Sequence, residues 1–270
     1  MNLTADNYCD EFPCVKVGGI LLAEPTTSIT DWVLALELLG FGAYMLRIFH
    51  TSSPEKRQLN RVFWALYFIF TSVGFGFGGN EHAFAVQLRC EGVPECSFMT
   101  PFWVPSLALN AIANQALVLA AVIAFSNQRV LRIIGWVLVG LYGVYIVVLL
   151  VGVAAMITSL LTFMVLAVFY IISTLVMLGL AAWTAKTRPT RPHILTFVGY
   201  LCVFIAGLWQ LTGLGFGPHF NHNDIYHVLA MLGYVPMFLG VSKLHDTDTV
   251  SYARLRSCLG IQANSAETEA

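Results

Sequence analysis

Four of the seven histidines lie at the ends of two apolar stretches of the sequence. His82 ends the second stretch, and three others flank the start of the seventh: His219, His222 and His227. Imidazole is the commonest metal-binding side chain near neutral pH, and three histidines with one open water position form a catalytic zinc site. The pattern predicts a zinc ion bound by His82, His222 and His227, with His219 in a loop.

Two carboxylates accompany these histidines, because Glu81 precedes His82 and Asp224 lies three residues before His227. If a helix begins near residue 223, Asp224 and His227 share one face of it. Asp224 would then bind the metal or fix the tautomer of His227, and either carboxylate could serve as the base. His222 joins the site only if the chain is not yet helical there. In the alternative reading, the polar residues of this stretch only cap the helix: Asn221, Asn223 and Asp224.

Seven stretches of about 20 apolar residues must position these side chains, each long enough to cross a bilayer. They lie near 29–49, 62–84, 102–125, 131–152, 157–183, 194–215 and 224–244. The chain is 57% hydrophobic and 11% charged, against about 25% charged in soluble domains. We therefore predict an all-α bundle of seven transmembrane helices. The break near Val153–Ile157 has no strong turn signal, but one merged helix would be too long for a membrane.

The orientation of the bundle follows from its Lys and Arg residues, which favour cytosolic loops. Basic clusters fall in the first, third and fifth loops and after the last helix: Arg47, Lys56, Arg57, Arg61, Arg129, Arg132, Lys186, Arg188, Arg191, Lys243, Arg254 and Arg256. The other side carries only Lys16 and Arg89. This distribution predicts an outer or lumenal N-terminus and a cytosolic C-terminus, so the four histidines would lie at the outer end.

Three segments follow from this topology: an outer N-terminal segment 1–28, a membrane domain 29–245 and a disordered cytosolic tail 246–270. Four cysteines fall on the predicted outer side, where disulfides persist: Cys9, Cys14, Cys90 and Cys96. The sequence leaves their three pairings open. Asn2 begins an Asn-Leu-Thr glycosylation sequon on the same side. The protein would be a multi-pass protein of the plasma membrane or an endomembrane.

Glu37 is the one carboxylate deep within a predicted span, where it must be neutral, paired or beside a wet cavity. Uncharged amides on other helices are its candidate partners: Asn110, Asn114 and Gln210. Gly74 and Gly78 allow close helix approach, which could bring His82 towards the seventh helix. The net charge of −1 excludes nucleic acid as a partner and leaves membrane lipid.

The pattern of helices and histidines resembles the superfamily of alkaline ceramidases and adiponectin receptors. His82 matches the histidine of its second helix, and Tyr226-His227 looks like the end of its seventh-helix H-x-x-x-H motif. Asp31-Trp32 is similar to the ceramidase entry to helix one, where such a pair helps to hold calcium. Asn223 stands where the motif has its first histidine, and Gly78 stands where the family has a serine. No aspartate begins the third helix.

The resemblance implies an intramembrane zinc hydrolase that cleaves a lipid amide or ester, with a metal-bound water whose pKa is lowered towards about 7. In this hypothesis His82, His227 and His222 bind zinc, and Asp224 or Glu81 acts as base or orienter. The missing serine and aspartate favour an alternative, a non-enzymatic receptor-like or scaffold protein of seven helices. Metal content and lipid turnover separate the two hypotheses.

Overall fold

The computed structural model describes residues 4–53, 56–92, 96–97, 100–125, 128–154, 159–217 and 219–246. It contains eight α-helices: α1 Tyr8–Glu11, α2 Pro25–Thr51, α3 Leu59–Ala83, α4 Trp103–Phe125, α5 Gln128–Ala154, α6 Ser159–Thr187, α7 Arg191–Thr212 and α8 His222–Val241. A two-stranded sheet, β1 Cys14–Val17 and β2 Ile20–Ala23, and a π-helical turn, Val86–Cys90, complete it. The sequon residue Asn2, the tail after Asp246 and the link 155–158 lie outside the described residues.

Each of the seven apolar stretches coincides with one long helix, from α2 to α8. Within the described residues, five helices are long and apolar enough to cross a membrane: Pro25–Thr51, Leu59–Ala83, Trp103–Ala124, Arg191–Thr212 and His222–Val241. Large apolar side chains such as Leu36 and Leu232 point outward and are about two-thirds exposed. These features are consistent with an integral membrane protein. That all seven helices span a membrane stays a prediction, as does their orientation.

The N-terminal segment is an ordered unit over its described part, where the sequence had predicted only an outer segment. Strands β1 and β2 pair antiparallel through a turn at Gly18-Gly19, whose φ angles of 55° and 87° favour glycine. Disulfides join Cys9 to Cys14 and Cys90 to Cys96, which resolves the open pairing. Tyr8, Ala23, Ala85 and Cys90 form a small buried cluster between them. The segment is thereby fixed to the end of α3.

Glycines let the helices of the bundle approach closely. A Cβ atom at Gly199 of α7 would lie 2.4 Å from the backbone nitrogen of Met237 in α8. A Cβ at Gly42 of α2 would lie 3.2 Å from the carbonyl oxygen of Ala65 in α3. Gly74 adjoins Asn110 of α4, so α3 is held between α2 and α4. Small residues at such contacts are typical of helix packing in membranes.

The two ends of the bundle differ. We call the end where α2, α4 and α8 begin the cavity end, and the opposite end the closed end. Large aromatic and apolar side chains fill the closed end and the middle of the bundle: Trp64, Tyr67, Phe68, Tyr200, Tyr234 and Met237. At the closed end, Asp246 accepts hydrogen bonds from the backbone N–H groups of Leu59 and Asn60. Asp246, in the segment that follows α8, thus caps the start of α3.

Candidate functional site

A cavity of about 580 Å³ opens inside the bundle between α3, α4, α6, α7 and α8. Much of its wall is apolar, with contributions from Phe75, Leu107, Ile171, Phe204 and Leu211. Ionisable side chains line it at the cavity end: Glu24, Asp31, His82, Arg89, His222 and His227. Its size falls in the usual range of small-molecule sites, about 300–1,000 Å³. One cavity therefore combines an apolar wall with a charged end.

His82 is held by Glu24, which lies immediately before α2. The His82 Nδ1 atom is 3.0 Å from Glu24 Oε2, and both side chains are largely buried. No hydrogen bond to the other ring nitrogen, Nε2, occurs in the described part of the chain. A carboxylate that fixes one imidazole nitrogen orients the ring and raises the basicity of the other. His82 is thus positioned to present Nε2 to a ligand in the cavity.

Behind this pair lies a buried network centred on Arg89 of the π-helical turn. Its Nε atom donates to Glu81 Oε1 at 2.7 Å, and Nη1 donates to the Tyr8 hydroxyl at 2.9 Å. The Tyr8 hydroxyl donates in turn to Glu24 Oε1 at 2.9 Å. Thr100 donates to the second Glu81 oxygen. In this network, the oxygens of both carboxylates, Glu24 and Glu81, have hydrogen-bond partners within the protein. The same contacts link the N-terminal segment to α3.

Electrostatics at this end keep Glu24 ionised. Burial opposes the charge, but His82 and then Arg89 lower the pKa of the Glu24 carboxyl to about 2. Burial raises the pKa of the Tyr8 phenol, and Glu24 raises it further, so the phenol stays neutral and can donate. For Arg89, burial is outweighed by Tyr8 and Glu81, and the pKa of the guanidinium is raised. The network thus carries fixed charges near neutral pH.

A second histidine–carboxylate pair joins α8 to α2. The His227 Nε2 atom lies 3.1 Å from Asp31 Oδ1, and its Nδ1 lies 2.9 Å from the Thr30 hydroxyl oxygen. His227 and Asp31 are both at least nine-tenths buried. A Cβ atom at Gly78 would lie 3.4 Å from Asp31 Oδ2, so α3 passes directly behind this carboxylate. Both histidines therefore reach the cavity with one nitrogen held by a carboxylate.

The backbone at Glu24 is unusual, and local sequence explains it. Its φ angle is 45°, and it is the one non-glycine residue with positive φ in the described part of the chain. The strand β2 ends at Ala23 and the fixed ring of Pro25 begins α2, so the chain must turn sharply between them. The Glu24 N–H donates to the carbonyl of Pro13 at 2.7 Å. Such strained residues cluster at functional sites, which matches its contact with His82.

The other predicted site residues lie apart from these pairs. His222 begins α8 and lines the same cavity, whereas His219 is exposed in the preceding loop. Asp224 accepts from the Asn221 N–H at 2.7 Å, and Asn221 accepts from the N–H of Asp224, which together form a capping box. Glu81 is fully buried on Arg89, away from the cavity wall. The contacts of Asp224 are therefore those of the alternative interpretation, in which this residue caps the helix.

The donor set for zinc can be tested against this geometry. His82, His227 and Asp31 bring two imidazoles and a carboxylate to one cavity, the right donor types for zinc. Within the described residues, however, no three His, Cys, Asp or Glu side chains converge closely enough to hold a metal ion. The geometry as it stands does not fit a three-ligand site, and we derive no chemical step through zinc.

The amides expected beside Glu37 have other partners. Gln210 donates to Asn223 Oδ1 at 3.1 Å, and Asn110 donates to the carbonyl of Ser106 at 3.0 Å. Glu37 itself is half-buried, with no hydrogen bond in the described part of the chain.

Sequence reasoning missed Glu24 and Arg89 and took Asp31 only from the family resemblance. Arg89 did carry a signal, because it is one of two basic residues on the predicted outer side. An arginine on that side is a candidate to pair with a carboxylate, and Glu81 is close to it in sequence. Glu24 and Asp31 gave no such signal, because only the fold brings the N-terminal segment against α3 and α8.

Comparison with known proteins identifies a family for this chain but indicates no activity. The sequence profile of a family of unknown function, DUF6962, matches residues 26–246. No curated protein and no solved structure gives a significant match to the chain. The matched region contains seven long helices and both cavity histidines, His82 and His227. The chain belongs to the DUF6962 family.

Proposed function

We propose that the protein binds one amphipathic, lipid-like molecule inside its helical bundle, with the polar group of the ligand at His82, His227, Glu24 and Asp31. The observation that carries this proposal is the 580 Å³ cavity, which is apolar along its wall and ionisable at one end. A wholly polar ligand would leave the apolar wall unused, and a wholly apolar ligand would leave the Nε2 atom of His82 without a hydrogen-bond partner.

The composition of the charged end narrows the ligand further. Glu24 lines the cavity as an ionised carboxylate, which only accepts hydrogen bonds, and Asp31 lines it beside His227. Arg89 already donates to Glu81 and Tyr8, so fewer of its donors remain for a ligand. A polar group that itself donates, such as a hydroxyl, amide or amine, therefore fits best. We propose membrane lipid as its source, because apolar helices surround the cavity.

We also propose that all seven long helices cross the membrane, with the cavity end at the outer or lumenal side. The disulfides support this orientation, because both lie at the cavity end and such bonds persist outside the cytosol. The distribution of Lys and Arg gives the same direction. Protease protection of tags placed at the two termini tests it. A tag at the C-terminus that is cleaved from outside would overturn it.

Native mass spectrometry of the purified protein tests ligand binding. The wild type is expected to retain one lipid-sized molecule, which His82→Ala loses. Asp31→Asn, which preserves side-chain shape, keeps the test valid if loss of His82 impairs folding. The matched control is His219→Ala, because His219 lies at the same end but is exposed and outside the cavity. A folded wild type without any ligand, or equal retention in all variants, would refute the proposal.

A zinc-dependent lipid amide or ester hydrolase is the second candidate. The observation that favours it is the His82–Glu24 pair, since metal-binding histidines commonly donate their other nitrogen to a carboxylate. The candidate would use His82, His227 and Asp31 or His222 as ligands, and it extends the resemblance to the alkaline ceramidase superfamily. Glu81 and Asp224, already engaged on Arg89 and Asn221, would need to be released to act as bases.

Metal analysis and turnover decide between the two candidates. The hydrolase hypothesis expects stoichiometric zinc in the purified protein and lipid hydrolysis that His227→Ala abolishes. If zinc is neither present nor regained on reconstitution, and lipid is bound without turnover, the protein is a lipid-binding one. Zinc-dependent turnover would instead establish the hydrolase and make the bound lipid its substrate or product.

A further inference from the structure

The hairpin of β1 and β2 has one apolar face that no other part of the described chain covers. Val15 pairs with Leu22 and Val17 pairs with Ile20, and side chains of paired residues project from the same face of a sheet. Val15, Val17 and Ile20 are each about half exposed. The face thus presents four neighbouring aliphatic side chains and no charge.

The opposite face of the hairpin is covered by the protein at the end away from the turn, whereas Lys16, nearer the turn, is exposed. Ala23 is fully buried against Tyr8, Ala85 and Cys90, and Cys14 packs beside them. The carbonyl of Leu21 accepts a hydrogen bond from Gln87 at 3.0 Å, which ties the hairpin to the π-helical turn. The hairpin therefore cannot turn its aliphatic face inward, because its other face is fixed to the bundle.

The position of the hairpin along α2 indicates what covers this face. Helix α2 has 27 residues and at 1.5 Å per residue is about 40 Å long. That length exceeds the hydrocarbon core of about 30 Å, and it matches a bilayer with its head groups. The start of α2 at Pro25 therefore lies in the head-group region, and the hairpin is attached there through the Glu24–Pro13 hydrogen bond.

Exposed apolar residues continue from the hairpin onto α2. Ile29, Trp32 and Val33 lie within the first turns of that helix and are exposed. Trp is typical of the boundary between head groups and hydrocarbon. A water-soluble partner could cover the hairpin face but not the exposed residues of α2 that would face lipid. The bilayer could cover the hairpin face and these residues together.

We propose that the aliphatic face of the hairpin inserts into the bilayer interface at the cavity end, so that the membrane holds the N-terminal segment over the cavity. Two features suit this position: Gly18 and Gly19 at the turn carry no polar side chains, and Lys16 projects from the other face. Glu24 follows the hairpin directly and holds His82. The inference rests on the proposed crossing of the membrane by α2, but it does not depend on the identity of the cavity ligand.

A site-directed fluorophore tests the proposal in the full-length protein. Cys202 and Cys258 are first changed to Ser, and reductant is omitted so that both disulfides persist. An environment-sensitive label is then placed at Val17→Cys or Ile20→Cys, with Lys16→Cys as the matched control on the opposite face. Each variant is reconstituted in phosphatidylcholine nanodiscs, some with a nitroxide near the head group and some with one deep in the tail.

The labels at 17 and 20 are expected to show blue-shifted emission, quenching by the shallow nitroxide and loss of iodide quenching. The label at position 16 should be quenched by iodide in solution and not by the nitroxides on the lipid. Equal iodide quenching at 16 and 17 would overturn the proposal and indicate an aqueous face. Protection of the label from both quenchers, together with air-oxidised, disulfide-linked dimers of the unlabelled Val17→Cys variant, would overturn it in favour of a second copy of the chain.

Discussion

The cavity end and the closed end of the bundle are built from different interactions. At the cavity end, buried ion pairs and hydrogen bonds surround a large cavity, and each charge depends on its partners. At the closed end, aromatic side chains and close backbone contacts fill the interior, as in the stacked pair Phe41–Phe238 with ring centroids 4.2 Å apart. Buried charges are costly within a membrane, whereas close packing stabilises.

This difference indicates a division of roles between the two ends. Burial of Glu24, Glu81 and Arg89 together is not needed for stability alone, because apolar residues of similar size at such positions often give an equally stable protein. The closed end shows that this chain can pack the interior of its bundle with aromatic and apolar side chains. The charged end is therefore the part where function outweighs stability, and substitutions at the two ends should differ in kind.

The largest effect is expected from Arg89→Met. It leaves Glu81 buried without its cation and removes a donor to Tyr8, so the free energy of unfolding should fall by about 3–5 kcal/mol. Denaturant titration of the protein in detergent micelles measures the change.

The control for Arg89 removes both charges of the pair. The double variant Arg89→Met/Glu81→Leu should recover most of the lost stability, because no unpaired carboxylate then remains at that position. If Arg89→Met alone is as stable as the wild type, the charged network does not hold the cavity end together.

Gly199→Ala should be the next largest change, and it acts where the helices pack. The added Cβ would meet the Met237 backbone at 2.4 Å, so α7 and α8 must move apart, which costs about 1–3 kcal/mol. Gly207→Ala in the same helix is the matched control, because its Cβ would have an ordinary 3.6 Å contact with Tyr170. Thermal unfolding of both variants provides the comparison, and equal melting temperatures would contradict close α7–α8 packing.

Asp246→Ala should destabilise the closed end by about 1 kcal/mol, the usual cost of losing a helix cap. The change removes the acceptor for the Leu59 and Asn60 N–H groups at the start of α3. Hydrogen exchange of the first turn of α3 should increase, while exchange near His82 stays unchanged. Asp10→Ala, an exposed carboxylate near the other end, is the control. Faster exchange throughout the bundle would mean that the two ends are not independent.

The smallest expected effect is a pH dependence at Asp246. Burial raises the pKa of its carboxyl above the ordinary value, although the backbone N–H groups partly offset this. A raised pKa in the folded state means that the stabilising contribution is present below the unfolded pKa and declines as pH rises through the folded pKa. Asp246→Asn should therefore gain melting temperature relative to the wild type as pH rises from about 4 to 7. A difference that shifts the other way would contradict the assigned burial.

Much of the fold could be predicted from the sequence because a membrane-spanning helix has a characteristic length and a mostly apolar composition. The stretch 62–84 predicts α3, which runs from Leu59 to Ala83, and 224–244 predicts α8, which runs from His222 to Val241. The hairpin at Cys14–Ala23 was missed because its strands of four residues are too short for a clear alternation. The disulfide pairing also required the fold, since four cysteines alone allow three pairings.

The candidate site was predicted by location more than by chemistry. His82 and His227 do line one cavity, because the topology places both at the same bundle end. Their partners were not predictable, since Glu24 and His82 are 58 positions apart in the sequence and Asp31 and His227 are much further apart. Glu81 and Asp224 were chosen as sequence neighbours of the histidines. Glu81 is adjacent to His82 and projects to a different face of α3, where it contacts Arg89. Asp224 instead contacts the Asn221 N–H as part of the cap at the start of α8.

The most direct test of the account is a cryo-electron microscopy structure of the protein in lipid nanodiscs. The account predicts one elongated density in the cavity, with its polar group within hydrogen-bond distance of His82 Nε2 or Asp31 and its apolar part along Phe204 and Leu211. A cavity filled only by water, or closed by movement of α7, would contradict the claim that the charged end exists to hold an amphipathic ligand.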